Sequence, residues 1–313
     1  MSVSAKVLVK TADLSRADWL RYRTMGIGGS DVSVIAGINP YRSVYQLWLE
    51  KTGQIEPAES DNEYTHFGTV LEPVIRREFM QRTGLKVRQK HMLLQSENYP
   101  FMLANLDGVI NLDGEMCIFE AKTASAYKFD DWQSGIPPEY MLQVQHYMTV
   151  TGAAKTYIAA LIGGNHFEYR LIERDDEMIK KIIAMEKLFW EVNVLGGIAP
   201  EIDGTKATTE FFNSKYSFSN GRTVELPEEI VSDCEEYGRL SDEISKLTAA
   251  KDSICNRIKS LMQNNETGLA GKYKVSWKQV ISSGFDKTRL KADNPELYKK
   301  YVTHSQYRRF IMS

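Results

Sequence analysis

Apolar and β-branched residues are densest around Leu106–Ala121, where the runs LDGVINL and MCIFEA flank the dipeptide Asp113-Gly114. That pattern predicts two strands joined by a two-residue hairpin turn whose loop residues take positive φ. Apolar spacing of three and four residues predicts helices elsewhere. These run from Ser15 to Met25, from Ser43 to Gly53, from Thr65 to Gly84, from Glu139 to Val150 and from Asp175 to Leu195. Further strands are expected at Lys86–Leu94, Lys155–Gly163 and His166–Glu173, the last two turning at Gly163-Gly164-Asn165. Helix, hairpin, helix, strand pair and helix in that order predict an α/β (α+β) domain built on a central mixed β-sheet flanked by helices. Residues 1–14 read as an irregular lead-in or edge strand, and residues 54–64 as a polar loop.

The character changes after Pro200. Residues 201–223 are polar, and a long helix follows over about 227–262, closed by Gly268 and Gly271. It has heptad-like spacing, with Tyr237, Ile244 and Ile258 at one position and Leu240, Leu247, Ile254 and Leu261 at the other; Lys251 interrupts the first. Folding back on the domain and pairing with a partner are both compatible with that stripe. A strand at Tyr273–Ile281 and a basic, aromatic tail complete the chain.

The hairpin carries the candidate chemistry. With Asp113 and Gly114 as the loop, Asp107 faces Glu120 and Lys122 shares their side of the sheet. Directly opposed Cβ atoms lie roughly 4.5–5.5 Å apart, so the two carboxylates repel. A divalent cation would relieve that repulsion, and the adjacent lysine suits hydrolysis of a phosphate ester. A solvated sheet face is the competing explanation, and the apolar runs around both acids favour a partly buried position. Gln143 and Tyr147 share a helix face. Glu72 interrupts the apolar stripe Phe67, Val70, Leu71, Val74, Ile75 and Phe79, either as a surface residue or as part of a site. Pro73 implies a kink there or a late helix start. Gly26, Gly28 and Gly29 make a turn before a short helix that Ser30 or Asp31 can cap. Such a turn suits an anion, or serves as a plain helix–helix turn.

Composition narrows the classes. Hydrophobic content of 42%, charged content of 26% and net charge −2 are those of an ordinary globular protein with no global attraction to nucleic acid. Locally, residues 76–91 carry six Lys/Arg against one acid, and residues 272–309 carry ten against three. Residues 225–246 reverse this, with eight Asp/Glu against two Lys/Arg. No apolar run reaches membrane-spanning length and no secretory signal opens the chain, so a cytoplasmic location without membrane contact is expected. The three cysteines form no CxxC pair, which argues against zinc and iron–sulfur sites.

Asp107 followed by Glu120-Ala121-Lys122 resembles the D…ExK signature of the PD-(D/E)xK nucleases, with Leu106 where that signature has Pro. Gln143 to Tyr147, QVQHY, resembles the QxxxY motif of their RecB-like branch. WLRYR at 19–23, GIGGSD at 26–31, INPYRS and GTVLEP at 68–73 together resemble the YqaJ-type viral recombinases, relatives of phage lambda exonuclease. The likeness runs in order through about residues 15–195, and LKADNPELYKKY in the tail is similar too.

The resemblance implies a restriction-endonuclease-like core in residues 1–200 and a C-terminal extension in 201–313. It implies a Mg²⁺-dependent 5′-to-3′ exonuclease on linear duplex DNA, with Mn²⁺ as a substitute ion. The enzyme would leave 3′ tails for a single-strand annealing protein, as a homo-oligomer of ring-shaped trimer type, phage- or prophage-encoded. Asp107, Glu120, the Ala121 carbonyl and Glu72 would hold metal. Lys122 would orient or deprotonate water, Gln143 would hold the nucleophile or Lys122, and Tyr147 would support the helix. Arg23, Ser30 and Arg42 would take the 5′-phosphate. An endonuclease on the same fold and a non-catalytic DNA-binding module are the alternatives.

Overall fold

The computed structural model describes residues 5–57 and 63–312; the middle of the expected loop over 54–64 lies outside them. Asp113 and Gly114 form the hairpin loop with φ of 54° and 92°. The ladder pairs Gly108 with Phe119 through to Leu112 with Glu115, the register that an Asp-Gly turn sets. The strand Glu115–Ala124 runs parallel to Lys155–Ile162, which pairs antiparallel with His166–Glu173. Val87–Arg88 lies along Gly108–Leu112 at the far edge and completes a five-stranded mixed sheet.

A second, four-stranded sheet orders Ala5–Lys10, Met92–Ser96, Met102–Asn105 and Ile27–Gly28. One continuous β-rich stretch therefore serves two sheets. It leaves one at Asn105 and enters the other at Gly108. Leu106 is buried at the crossing, and the Asp107 carboxylate accepts the Ala121 N–H at 2.9 Å. The expected ladder thus stops one residue short of Asp107, and a side chain takes over the bonding.

The helix Pro138–Thr151 is buried along most of its length and ends at Gly152, φ 74°. The helix Gly29–Ile35 approaches it so closely that a Cβ on Gly29 would lie 2.5 Å from the Tyr147 ring. Its N-cap is Gly28, rather than Ser30 or Asp31; Asp31 instead accepts the Gly28 N–H at 3.0 Å. Glu63–Thr83 is one helix that contains Pro73. Ile75 and Phe79 bury its inner edge, with Phe79 5.0 Å from Phe119 and 5.1 Å from Tyr157, centroid to centroid. Burying a side chain of that size stabilises by about 1.5–3 kcal/mol. Phe67, Val70 and Val74 are exposed, so only part of the predicted stripe faces the core. The helix expected to reach Leu195 is α-helical over Asp176–Leu188 and continues as π-helix over Phe189–Leu195. There the Trp48 indole N–H donates to the Asn193 carbonyl at 2.8 Å.

Two compact units, Met1–Lys215 and Tyr216–Ser313, divide the chain. The break lies beyond residue 200 because the helix Lys206–Lys215 sets Phe211 and Phe212 against Tyr45, at 6.5 and 5.7 Å. The second unit holds the helix Ile230–Met262 and an antiparallel pair, Thr267–Ala270 with Tyr273–Ser276. Gly268 lies within that pair instead of closing the helix, which ends at Gln263, φ 50°. Among the described residues no helix is long and apolar enough to cross a membrane.

Candidate active site

Strand alternation puts Glu120 and Lys122 on one side of the Glu115–Ala124 strand, and the sheet crossing delivers Asp107 beside them. Lys122 Nζ donates to Glu120 Oε1 at 2.7 Å and to Gln143 Oε1 at 2.8 Å. Gln143 Nε2 donates to the same Glu120 oxygen at 2.7 Å and toward the Tyr147 hydroxyl at 3.1 Å. The helix that carries Gln143 and Tyr147 one turn apart thus clamps the strand that carries the acid and the lysine. Tyr140 adds a ring 5.0 Å from Lys122 Nζ.

Negative charge is in excess here. Burial, and then the Asp107 charge, push the Glu120 carboxyl up to about 8 against the pull of Lys122. Glu72 is pushed up to about 7 by burial and by Asp107, although Arg76 bonds it at 3.2 Å. Burial also raises Asp107, against Lys122 and the Ala121 N–H. For Lys122, burial favours the neutral amine, but Glu120 and Asp107 outweigh it and lift the ammonium above its usual value. The two carboxylates thus favour the charged, hydrogen-bond-donating form of Lys122. Glu120 Oε2 is buried without a hydrogen-bond partner.

A second buried carboxylate lies close by with the opposite imbalance. Asp31 takes Lys51 at 2.7 Å and Arg42 at 3.0 Å, with Arg23 at 3.6 Å. Burial alone would raise it, but the three cations hold Asp31 well below the usual carboxylate range. Lys51 is pulled down to about 8, by burial first and by Arg23 and Arg42 after it, against Asp31. Arg42 also bonds Glu50. Arg23 Nη2 reaches outward to Ser30 Oγ at 2.8 Å.

Both clusters border one cleft of about 130 Å³, whose lining includes Arg23, Ser30, Asp107, Glu120, Gln143 and Tyr147. Of the residues expected to take a phosphate, Arg23 and Ser30 line it, whereas Arg42 does not and is committed to Asp31 and Glu50. Glu72 is outside the lining too. Among the described residues no three His, Cys, Asp or Glu side chains form a ready metal cage. Mg²⁺ needs only one or two carboxylates beside its waters. Asp107 and Glu120, with the orphaned Oε2, fit that demand.

Sequence reasoning missed Lys51, which meets Asp31 across 20 residues, Glu50, which meets Arg42 across 8, and Trp19 and Asn105 in the cleft lining. It also missed the buried pair His146–Glu186 at 2.7 Å. The other ring nitrogen of His146 meets the Leu103 carbonyl at 2.8 Å. Only the interrupted hydrophobic faces of the two helices could have signalled that pair.

Fold and site together define a mixed α/β protein with an acid–acid–lysine cluster where two sheets meet. A model of the YqaJ-like viral recombinase domain matches residues 18–154, the stretch that contains every site residue named above except His146's partner Glu186. The chain is 41% identical to the uncharacterized protein YqaJ of Bacillus subtilis (strain 168), over 99% of this chain and 98% of that one. It belongs to the YqaJ-like viral recombinase family. Among solved structures, it is similar to an alkaline exonuclease from Laribacter hongkongensis, at 22% identity and TM-score 0.49, covering 57% of this chain and 93% of that one. It is also similar to a phage related exonuclease from Haemophilus somnus 129PT, at 16% identity and TM-score 0.42, covering 54% of this chain and 95% of that one.

Proposed function

We propose that this chain is a divalent-metal-dependent deoxyribonuclease that degrades one strand of linear duplex DNA from its 5′ end. The observation that carries this reading is a single cleft whose lining includes Arg23 and Ser30 together with Asp107 and Glu120. A guanidinium beside a hydroxyl suits a terminal phosphate. A pair of under-neutralised carboxylates suits a hard cation.

Phosphodiester hydrolysis starts from a very slow uncatalysed reaction, so the site must lower the barrier by roughly 20 kcal/mol. Asp107 and Glu120 would hold Mg²⁺, or Mn²⁺ in its place. Glu72 and the Ala121 carbonyl are secondary candidates for the same ion. When bound, the ion supplies charge stabilisation and a more acidic water. The chain's own residues do the positioning. Lys122 presents a fixed positive charge and N–H donors to an anionic substrate. Gln143 holds Lys122 and Glu120 in register, and Tyr147 supports Gln143 from one turn away. Arg23 and Ser30 would anchor the 5′-phosphate, and Arg42 would act on it through Asp31.

The same reading makes the product a 3′ single-stranded tail, suited to a phage-type annealing protein in the host cytoplasm. It makes a ring-shaped homotrimer the expected working form. The test is digestion of a linear duplex labelled at either 5′ or 3′ ends, with and without Mg²⁺, beside a covalently closed circle. Mg²⁺-dependent loss of the 5′ label with the circle left intact is expected. Cutting of the circle would replace the exonuclease reading with an endonuclease one.

A further inference from the structure

The helix Ile230–Met262 is 33 residues long and buries only Met262. Along one side it exposes Tyr237, Leu240, Ile244, Leu247 and Ile254, each at 44–64% of its full surface. A helix with such a stripe ordinarily covers it. Written as heptads, the seam over the span that two copies can share is Ile230, Asp233, Tyr237, Leu240, Ile244, Leu247, Lys251 and Ile254, with Ile258 and Leu261 continuing it beyond the overlap. Asp233 and Lys251 are its two polar positions. The chain's own tail meets this side at Tyr237, where the Phe310 ring lies 6.0 Å away.

Charge is distributed unequally along the helix. Residues 230–245 carry five acids (Asp233, Glu235, Glu236, Asp242, Glu243) against Arg239 alone. Residues 246–262 carry four cations (Lys246, Lys251, Arg257, Lys259) against Asp252 alone. Two copies side by side in parallel would set acid against acid, with Asp233 on Asp233 and Lys251 on Lys251. Antiparallel copies set the acidic half of each against the basic half of the other.

We propose that this helix pairs antiparallel with the same helix of a second copy, in the register that places Asp233 opposite Lys251. That register is the one in which both polar interruptions answer each other. It also sets Ile230 opposite Ile254, Tyr237 opposite Leu247 and Leu240 opposite Ile244, so the remaining layers are apolar on apolar. Every layer then matches one heptad core position with the other, as antiparallel seams require. The contact is two-fold symmetric, with the axis beside Asp242. Glu243, which nears its own copy there, is already ion-paired to Arg239 at 3.0 Å. The pairing is independent of the nuclease reading, because it uses no residue of the cleft.

The native cysteines give the test its rulers. Cys234 and Cys255 are exposed and Cys117 is buried. At 1.5 Å per residue, antiparallel pairing separates the two Cys234 positions by about 24 Å along the axis and the two Cys255 positions by about 39 Å. Parallel pairing would bring both near the interaxial spacing of about 10 Å. Full-length C255S and C234S, each spin-labelled at the remaining exposed cysteine, should show one shorter and one longer distance in that order. Sedimentation of the unlabelled chain should show D233K and K251D each halving the mass of the assembly, from a pair of rings to one ring where the trimer forms and from dimer to monomer where it does not, and D233K/K251D restoring it. A chain that stays monomeric at all concentrations, a mass indifferent to D233K, a double variant that does not recover, or two equally short distances would each overturn the proposal.

Discussion

Two buried carboxylate clusters each lend residues to the same cleft, Arg23 from one and Asp107 and Glu120 from the other, and their charge ledgers have opposite signs. Around Asp31, two acids (Asp31, Glu50) face three cations (Arg23, Arg42, Lys51), an excess of one positive charge. Around Glu120, three acids (Glu72, Asp107, Glu120) face two cations (Arg76, Lys122), an excess of one negative charge. The direction of the shifts follows. Asp31 is held far below its usual range and Lys51 is lowered, whereas Glu120, Glu72 and Asp107 are all raised. The first cluster is bonded on both carboxylate oxygens and behaves as scaffold, with one guanidinium left facing the cleft. The second keeps a buried oxygen without a partner, which is the opening for a cation in the proposed function. Burial of charge is common to both; what separates scaffold from site is whether the neighbours close the balance.

The largest expected break in this comparison is at Asp31. Asp31→Asn strands three buried or half-buried cations and should cost about 3–5 kcal/mol of folding stability, read by chemical denaturation. Glu120→Gln removes a charge that its surroundings oppose, so in chelator its stability should equal or exceed that of the wild type. Equal losses in the two variants would erase the distinction between them.

Next is the lysine. Lys122→Ala should reduce cleavage by about a hundredfold or more, the scale of a lost transition-state donor, while duplex binding in a filter or anisotropy assay persists. Retained turnover would remove Lys122 from the chemistry. Smaller and more selective is Arg23→Ala. Losing one charge-assisted contact should slow digestion of 5′-phosphorylated ends by about tenfold and leave unphosphorylated ends nearly unchanged. A uniform loss on both kinds of end would reassign Arg23 to the scaffold with Arg42.

The last effect is on pH. In chelator, the folded chain keeps protons on Glu120 up to about 8 and on Glu72 up to about 7, while the unfolded chain releases them near the ordinary glutamate value of 4.5. Their contribution to stability therefore falls as pH rises from about 4.5 to about 8. Asp31 works the other way. Its contribution is complete above the unfolded value of 3.8 and is lost as pH falls below it toward the depressed folded value. Thermal melting across pH should show the alkaline decline in the wild type and lose most of it in Glu120→Gln.

How much of this was legible follows from how local each feature is. The hairpin register was readable because Asp113-Gly114 fixes it within two residues, and the placement of Lys122 beside Glu120 came with strand alternation. The Gln143–Tyr147 face followed from helical spacing in the same way. The crossing at Leu106-Asp107 was not readable, since LANLDGVINL is as β-rich before it as after it, and only the Ala121 N–H reveals why Asp107 stands outside the ladder. The partners of Asp31 were hidden for a related reason. Lys51 lies 20 residues away, and nothing in its own helix marks it as buried. The family resemblance puts Arg42 on the phosphate, while packing turns its guanidinium toward Asp31 and Glu50. The stripe on Glu63–Thr83 overstated the core because Phe67, Val70 and Val74 lie on a side that the sheet does not reach.

The charge deficit around Glu120 is the central claim, and calorimetric titration of Mg²⁺ into the DNA-free protein tests it most directly. The account predicts saturable binding to the wild type, its persistence in Arg23→Ala, and its loss in Glu120→Gln and Asp107→Asn. Binding to Glu120→Gln with wild-type affinity would contradict it.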